Sequence, residues 1–415
     1  MNVQTERIYL NDLHDDLNAL ALRYETVRAR SIALAEPLSE EDCCVQSMPD
    51  ASPIKWHLAH TTWFFETFIL ERFEPNFQPH HPAFRVLFNS YYNGIGDKHA
   101  RAQRGLLTRP PFPDVLYYRR DVDARIVALL VHSFAAGVYA ELSNLLELGL
   151  QHEQQHQELM MTDVLHLLSC NPLKPAYAET PSLVSKPAAE LQWLSFDGSL
   201  VHIGHDESGF CFDNEMPVHR QFLESYALAS RLVTNREYLA FVESGAYENP
   251  AVWLSEGWDW VQTQQLTHPL YWQKNDDAWQ AFSLHGLQAL NLDAAVTQIS
   301  YFEADAYARW AGARLPTEAE WENAVMQLLS SSDKPTDSMQ FFGNCWQWTC
   351  SSYSAYPGYK TAGGVLGEYN GKFMSNQYVL RGSSCVTPDG HSRASYRNFF
   401  PATTRWQFSG IRLAR

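Results

Sequence analysis

Two histidines occupy positions where a helix core would carry leucines. From about Tyr139 to Ser169 the sequence keeps a helical period, and Leu145, Gly149, His152, His156, Leu159 and Asp163 trace one stripe of it at i, i+4, i+7 spacing. His152 and His156 are four apart, so they stack on that stripe one turn above the other. A stripe of this kind is buried against neighbouring elements, and a buried imidazole needs a partner. Either neighbouring side chains supply it, or the two rings share a metal ion. The pair by itself weighs the two readings equally.

Partner helices can be read upstream. Residues from about 10 to 36 (Leu10, Leu13, Leu17, Leu20, Leu22, Tyr24, Val27, Ile32) form an amphipathic helix that Pro37 ends. Ser52-Pro53 predicts a helix start, Ser as N-cap and Pro at the first helical position, running through Trp56 and His60 to about Leu70. The stretch from about 72 to 120 lacks a helical period and holds prolines at 75, 79, 82, 110, 111 and 113 around a polar centre, Asn89-Ser90-Tyr91-Tyr92-Asn93-Gly94. So long a connection is functional or disordered, and its aromatic content speaks against disorder. A third helix is expected over about 121–134 and the fourth, with the His pair, over about 138–169. Four helices with one decorated loop predict a four-helix bundle, whose metal sites lie in the core.

Beyond it the texture changes. Prolines at 172, 175, 181 and 187 mark a linker, giving expected boundaries of 1–175 for the bundle, 176–190 for the linker and 191–415 for a second domain. The second domain has short strand-like pieces (Leu200–Ile203, Gln221–Leu223), helical stretches at Asn235–Glu243, Tyr301–Ala311 and after Thr317, and many Gly-, Asn- and Trp-rich loops. The expected fold class is α+β in two domains.

A metal needs a third ligand. His57 and His60, three apart on the second helix, are both available, and periodicity does not choose between them. Thiolates are poorer candidates: the seven cysteines include no CxxC pair, which disfavours both a thiolate zinc site and a disulfide framework. Three neutral nitrogens with open positions suit Fe(II) or Cu as well as Zn. The net charge of −16, without a Lys/Arg tract, argues against nucleic acid and anionic membranes as partners. No apolar run reaches transmembrane length and no secretory leader pattern opens the chain, so a cytoplasmic location is expected. A homo-oligomer is compatible with all of this.

Several strings are more specific. Val233-Thr234-Asn235-Arg236-Glu237-Tyr238, Ala311–Glu322 (A-G-A-R-L-P-T-E-A-E-W-E), Gly343-Asn344-Cys345-Trp346-Gln347-Trp348-Thr349, Leu380-Arg381-Gly382-Ser383-Ser384 and Gly410–Arg415 resemble the formylglycine-generating-enzyme/sulfatase-modifying-factor domain, a variant of the C-type-lectin-like fold. The cysteine pair used by formylglycine-forming enzymes has no counterpart after Cys385, so that activity is not expected. Leu58-Ala59-His60 and His152-x3-His156-x-Glu158 resemble the DinB-like bundle. Fused, the two domains resemble the EgtB family of ergothioneine sulfoxide synthases over essentially the whole chain.

That resemblance implies a mononuclear non-haem Fe(II) site of His60, His152 and His156, with His60 rather than His57 as first ligand. It implies O2-dependent joining of a thiol to the imidazole C2 of hercynine, a Nα-trimethylated histidine. A proton donor is then needed near the metal, and Tyr91-Tyr92 match a tyrosine pair found in one branch of the family. Arg101 and Arg104 match arginines for the thiol substrate's carboxylates, a task suited to a planar guanidinium fork. Asp50 is a candidate partner for the substrate ammonium. Asn398, Phe399 and Phe400 are candidates for the hercynine quaternary ammonium, which has no N–H to donate, and Gln155 for a polar contact. Where the γ-glutamylcysteine-using branch has Asn-Trp-Asp, this chain has Asn398-Phe399-Phe400. Phe400 cannot bind an ammonium as an acid would, so L-cysteine is the expected donor, with γ-glutamylcysteine as the alternative. Selenoneine synthesis and a DinB-like zinc-dependent thiol S-transferase remain open as other activities. An ovothiol-type enzyme is not expected, since a further methyltransferase domain is not seen. Glu158 has no assigned role.

Overall fold

The computed structural model describes residues 3–136, 138–179, 187–330, 339–361, 363 and 370–415. It divides into two compact units, Met1–Cys170 and Asn171–Arg415. Among the described residues no helix is long and apolar enough to cross a membrane.

The first unit is built on four long helices: α1 (Val3–Ala35), α2 (Ile54–Phe65), α3 (Phe112–Ala136) and α4 (Tyr139–Cys170). α4 packs against α1 and α2, and α2 against α3. On α1 the buried face runs Leu17, Tyr24, Val27, Ser31 and Leu34, the spacing expected of a core stripe. α2 is buried along its whole length. Gly149 sets how closely α4 approaches α2: a Cβ there would meet Phe65 Cε1 at 2.5 Å, so only glycine admits the contact.

Two sequence expectations are corrected. The third helix starts at Phe112, not near 121. Pro113 lies in its first turn, where a missing N–H breaks no helical bond, and Val115, Tyr118, Val122, Ile126 and Leu130 form its buried stripe. Ser52 is not the N-cap of α2. Pro53 holds that position in extended backbone (φ −60°, ψ 147°). The Ser52 hydroxyl instead accepts a bond from Arg104 (2.8 Å), and its N–H donates to Asp163 (2.8 Å). A buried guanidinium and a buried carboxylate have the stronger claim on these groups.

The second unit is α+β. Strands β1 (Trp193–Phe196) and β4 (Tyr226–Ala229) pair antiparallel, as do β2 (Ser199–Ile203) and β3 (His219–Leu223). A three-stranded sheet holds β5 (Trp272–Asn275), β6 (Ala278–Ser283) and β7 (Gly286–Ala289). The largest sheet has the order β10-β9-β8-β11, from β8 (Trp346–Ser352), β9 (Tyr378–Gly382), β10 (Asn398–Phe400) and β11 (Ser409–Gly410). Helices α5 (Asn235–Glu243), α6 (Ser255–Gln264), α7 (Tyr301–Trp310) and α8 (Glu318–Ser330) complete it. Of the expected linker, residues 180–186 lie outside the described residues.

The specific strings of this unit are structural staples. Arg314 holds Glu320 with two 2.7 Å bonds, while Thr317 and Glu320 form a capping box at the start of α8. Glu318 accepts from Arg397 (2.9 and 3.0 Å) and Arg381 (3.0 Å). Gln347 Oε1 accepts from both Trp321 and Arg412 at 2.7 Å, tying three of the strings to one amide.

Candidate metal centre

α2 carries His60, and α4 carries His152 and His156. One nitrogen from each lies within 4.8 Å of the others, the one His/Cys/Asp/Glu group of this kind among the described residues. The structure thus brings His60 together with the H-x3-H pair.

The His60 ring lies between two indoles, Trp56 (centroids 4.6 Å, 12° between planes) and Trp63 (5.4 Å, 18°). Its Nδ1 is 2.6 Å from the Phe88 carbonyl. A carbonyl only accepts, so Nδ1 carries the hydrogen and Nε2 presents its lone pair, 3.2 Å from His152 Nε2. Phe64 packs on His152 at 4.6 Å. Burial, reinforced by the neighbouring imidazoles, pushes His60 and His156 well below the ordinary histidine value. Burial lowers His152 to about 3. All three rings are therefore neutral near pH 7, the form that ligates a metal.

His57 is not a fourth member of this set. Its Nδ1 faces His156 Nδ1 at 2.8 Å and its Nε2 faces Asp163 Oδ2 at 3.0 Å. Sequence reasoning left His57 as an alternative ligand and gave Asp163 no role. Its place on the same stripe, seven residues beyond His156, was the available signal.

Asn89 follows Phe88 and is fully buried. Its amide donates to the carbonyls of Tyr92 (3.0 Å), Gly96 (3.3 Å) and Asp97 (3.3 Å) and accepts the Tyr92 N–H (3.1 Å). The residue that shapes the tyrosine loop thus adjoins the carbonyl that orients His60. Tyr92 is fully buried against Trp63, Phe64 and Phe68. Tyr91 is half-buried and stacks on Tyr92 at 4.7 Å.

Arg104 is 6% exposed, with its guanidinium carbon 3.3 Å from the Trp56 ring centroid. Its side chain bonds Ser52 Oγ, its Nε has no hydrogen-bond partner, and among the described residues no carboxylate forms an ion pair with it, although Asp163 attracts it from farther away. Burial and the nearby Arg101 charge pull it down to about 9. Arg101 is exposed and bonds the backbone carbonyl of Asp50, itself exposed. Gln155 and Glu158 are half-buried on α4.

Sequence reasoning missed the neighbour of His152. Glu153 is fully buried and accepts from Arg28 (2.8 Å), Ser31 (2.5 Å) and Arg119. Burial would raise its pKa, but the two guanidiniums outweigh it and hold Glu153 at about 2. This cluster ties α1 and α3 to α4 one residue from a candidate ligand. In the second unit Asn398, Phe399 and Phe400 form β10, all half-buried, with Phe399 stacked on Tyr353 at 4.0 Å and 9°.

Residues 195–327 and 329–415 match the sulfatase-modifying factor enzyme 1-like domain, and residues 23–160 match the DinB superfamily. Hercynine oxygenase of Mycobacterium tuberculosis is 29% identical over 438 residues, covering 95% of this chain and 98% of that protein. Hercynine oxygenase of Mycolicibacterium smegmatis is 28% identical over 439 residues, with 95% and 98% covered. Ergothioneine biosynthesis protein 1 of Schizosaccharomyces pombe is 25% identical over 232 residues, which is 50% of this chain and 28% of that protein. The chain belongs to the sulfatase-modifying factor enzyme 1-like family and, with a DinB bundle fused to that domain, has the architecture of the EgtB-like hercynine oxygenase enzymes.

Proposed function

We propose that this enzyme is an iron(II)- and O2-dependent sulfoxide synthase that joins L-cysteine to the imidazole C2 of hercynine. The observation that carries the reading is the cluster of three neutral imidazoles, two buried and one partly buried, in a chain that aligns over 95% of its length with a hercynine oxygenase. Iron(II), when bound, supplies open coordination positions for the substrates and the redox chemistry with O2.

The surrounding residues fit such a task. Neutral imidazoles leave a divalent ion with its full charge, which favours an anionic thiolate beside it. Arg104 supports recognition of a carboxylated thiol, because a buried cation without an ion pair among the described residues gains from an incoming carboxylate. Arg101, on the Asp50 carbonyl, brings a second guanidinium and an acid to the same end of α2. We assign proton donation to the Tyr91-Tyr92 pair and favour Tyr92, which packs on the same Trp63 and Phe64 that pack on His60 and His152. Recognition of the trimethylammonium is assigned to Asn398, Phe399 and Phe400, with Gln155 as a polar contact. Phe400 in place of an acid supports cysteine over γ-glutamylcysteine.

The test is incubation of Fe(II)-loaded protein with hercynine, O2 and either thiol, read by mass spectrometry. A cysteine–hercynine sulfoxide is expected. Absence of a conjugate with either thiol refutes the activity, whereas faster turnover with γ-glutamylcysteine refutes only the donor. Turnover with Zn(II) and no O2 uptake would favour a thiol S-transferase. A selenium donor outpacing both thiols would favour selenoneine formation.

A further inference from the structure

The hydrogen bonds behind the imidazole cluster form a chain whose polarity is set at its far end. The Ser52 backbone N–H can only donate, and it donates to Asp163 Oδ2 at 2.8 Å. The same oxygen lies 3.0 Å from His57 Nε2. An ionised carboxylate only accepts, so His57 carries its hydrogen on Nε2 and presents a bare Nδ1. That nitrogen is 2.8 Å from His156 Nδ1, which must therefore be the donor of the pair. His156 is left with its lone pair on Nε2. The consequence parallels that of the Phe88 carbonyl on His60, but it is reached through a second imidazole instead of a peptide group.

We propose that His57 is a positioning residue for the metal: the Ser52–Asp163–His57 chain fixes His156 in its Nε2-ligating tautomer and raises the basicity of that nitrogen. His57 and Asp163 are both nearly inaccessible to solvent, so neither is placed for contact with bulk water or for a surface role. Building a buried carboxylate and a buried imidazole into one line is costly unless each is satisfied, and here each satisfies the next. The sequence logic follows. His57 stands three residues before His60, placing it on the same side of α2, and Asp163 stands seven after His156 on the stripe of α4. The two helices that supply the ligands therefore also supply this support, and the alternative ligand left open by periodicity acquires a different task. A carboxylate behind a ligating imidazole strengthens metal binding by about 10–100-fold.

The inference rests on the proposed metal site, and the test separates the two. Fe(II) affinity is measured anaerobically by competition with a chromophoric chelator for the wild type, His57→Phe, Asp163→Asn and the double variant. Apo-protein melting is followed in parallel to confirm folding. His57→Phe is expected to weaken Fe(II) binding by about 10–100-fold. Asp163→Asn is expected to weaken it by less, and to add nothing on the His57→Phe background, since its effect passes through His57. In Cu(II)-loaded protein, pulsed EPR reads the remote nitrogen of each bound imidazole, and one remote-nitrogen quadrupole coupling should shift in both single variants. Unchanged affinity in a folded His57→Phe protein overturns the proposal while leaving the metal site standing. Weakened affinity with unchanged remote-nitrogen coupling also overturns it, because His57 then acts through packing alone. Failure of the wild type to bind Fe(II) sinks the metal reading and this one together.

Discussion

Arg104→Met should make the protein more stable and its thiol recognition worse. The guanidinium is buried, forms no ion pair among the described residues, feels Asp163 only at a distance, and lies against Trp56 with one bond to Ser52. Holding such an unpaired charge out of water costs about 3–5 kcal/mol. Methionine of similar length removes that cost. It gives up the Ser52 hydrogen bond, about 1–1.5 kcal/mol, and part of a desolvated cation–π contact of about 2 kcal/mol, for which sulfur–aromatic contact compensates in part. The net expectation is a gain of about 1–2 kcal/mol, or roughly 2–8 °C in the melting of a unit this size, followed by circular dichroism of the helices. Burial disfavours the charge, but a guanidinium keeps its proton in proteins, so the penalty, and with it the variant's advantage, is full at pH 7. Function moves the other way. A substrate carboxylate deprived of a buried cation loses about 2–5 kcal/mol, so kcat/KM for the thiol should fall by about thirtyfold or more, with KM for hercynine nearly unmoved. A variant that melts lower than wild type and keeps its thiol kcat/KM would refute the reasoning and make Arg104 a structural cation.

Other expectations follow from the same geometry. Gly149→Ala places a methyl 2.5 Å from Phe65 Cε1, so urea unfolding should show a loss of about 1–3 kcal/mol. The same variant should bind less Fe(II), because α4 is pushed away from His60; unchanged stoichiometry would mean that the clash relaxes elsewhere. Tyr92→Phe should cut sulfoxide formation by about 100-fold or more and Tyr91→Phe by less, read by mass spectrometry, and the reverse order would reassign the proton donor. In the second unit burial pushes Glu318 up, but Arg397 and Arg381 outweigh it and hold its carboxyl below the usual range. Its contribution is thus present above the ordinary carboxylate pKa and lost as pH falls through the lower folded value. Glu318→Gln should cost about 3–5 kcal/mol at pH 7 and much less in acid, as urea midpoints at the two pH values will report.

The division between what was legible in one dimension and what was not follows the range of the interactions. Helix identity, the histidine-bearing stripe, the two-domain change of texture and the family strings depend on periodicity and short-range spacing. Those features are present in the chain before it folds, so His152, His156 and the α+β class could be read directly. The start of α3 was misread because prolines at 111 and 113 look like helix breakers, yet they are harmless at a helix entrance. Ser52 was misassigned because a capping preference is local, while Arg104 and Asp163, which claim that serine, lie 52 and 111 residues away.

The choice between His57 and His60 shows the limit most sharply. Both lie on one side of α2, and residue periodicity alone leaves either as the partner of the His152-His156 pair; family resemblance favours His60 only by analogy. The distinction is a matter of which nitrogen faces which neighbour within about 3 Å: Phe88 and His152 for His60, Asp163 and His156 for His57. Glu153 is similar, an acid beside His152 whose burial was invisible until Arg28 and Arg119 arrived from α1 and α3. The sequence by itself determined which side chains with ligating or acid–base chemistry exist and on which helical faces they lie. Only the packing of α2 against α4, with Gly149 admitting the close approach, decided which of them meet, because tautomers, buried charge pairs and metal geometry depend on contacts that no local pattern encodes.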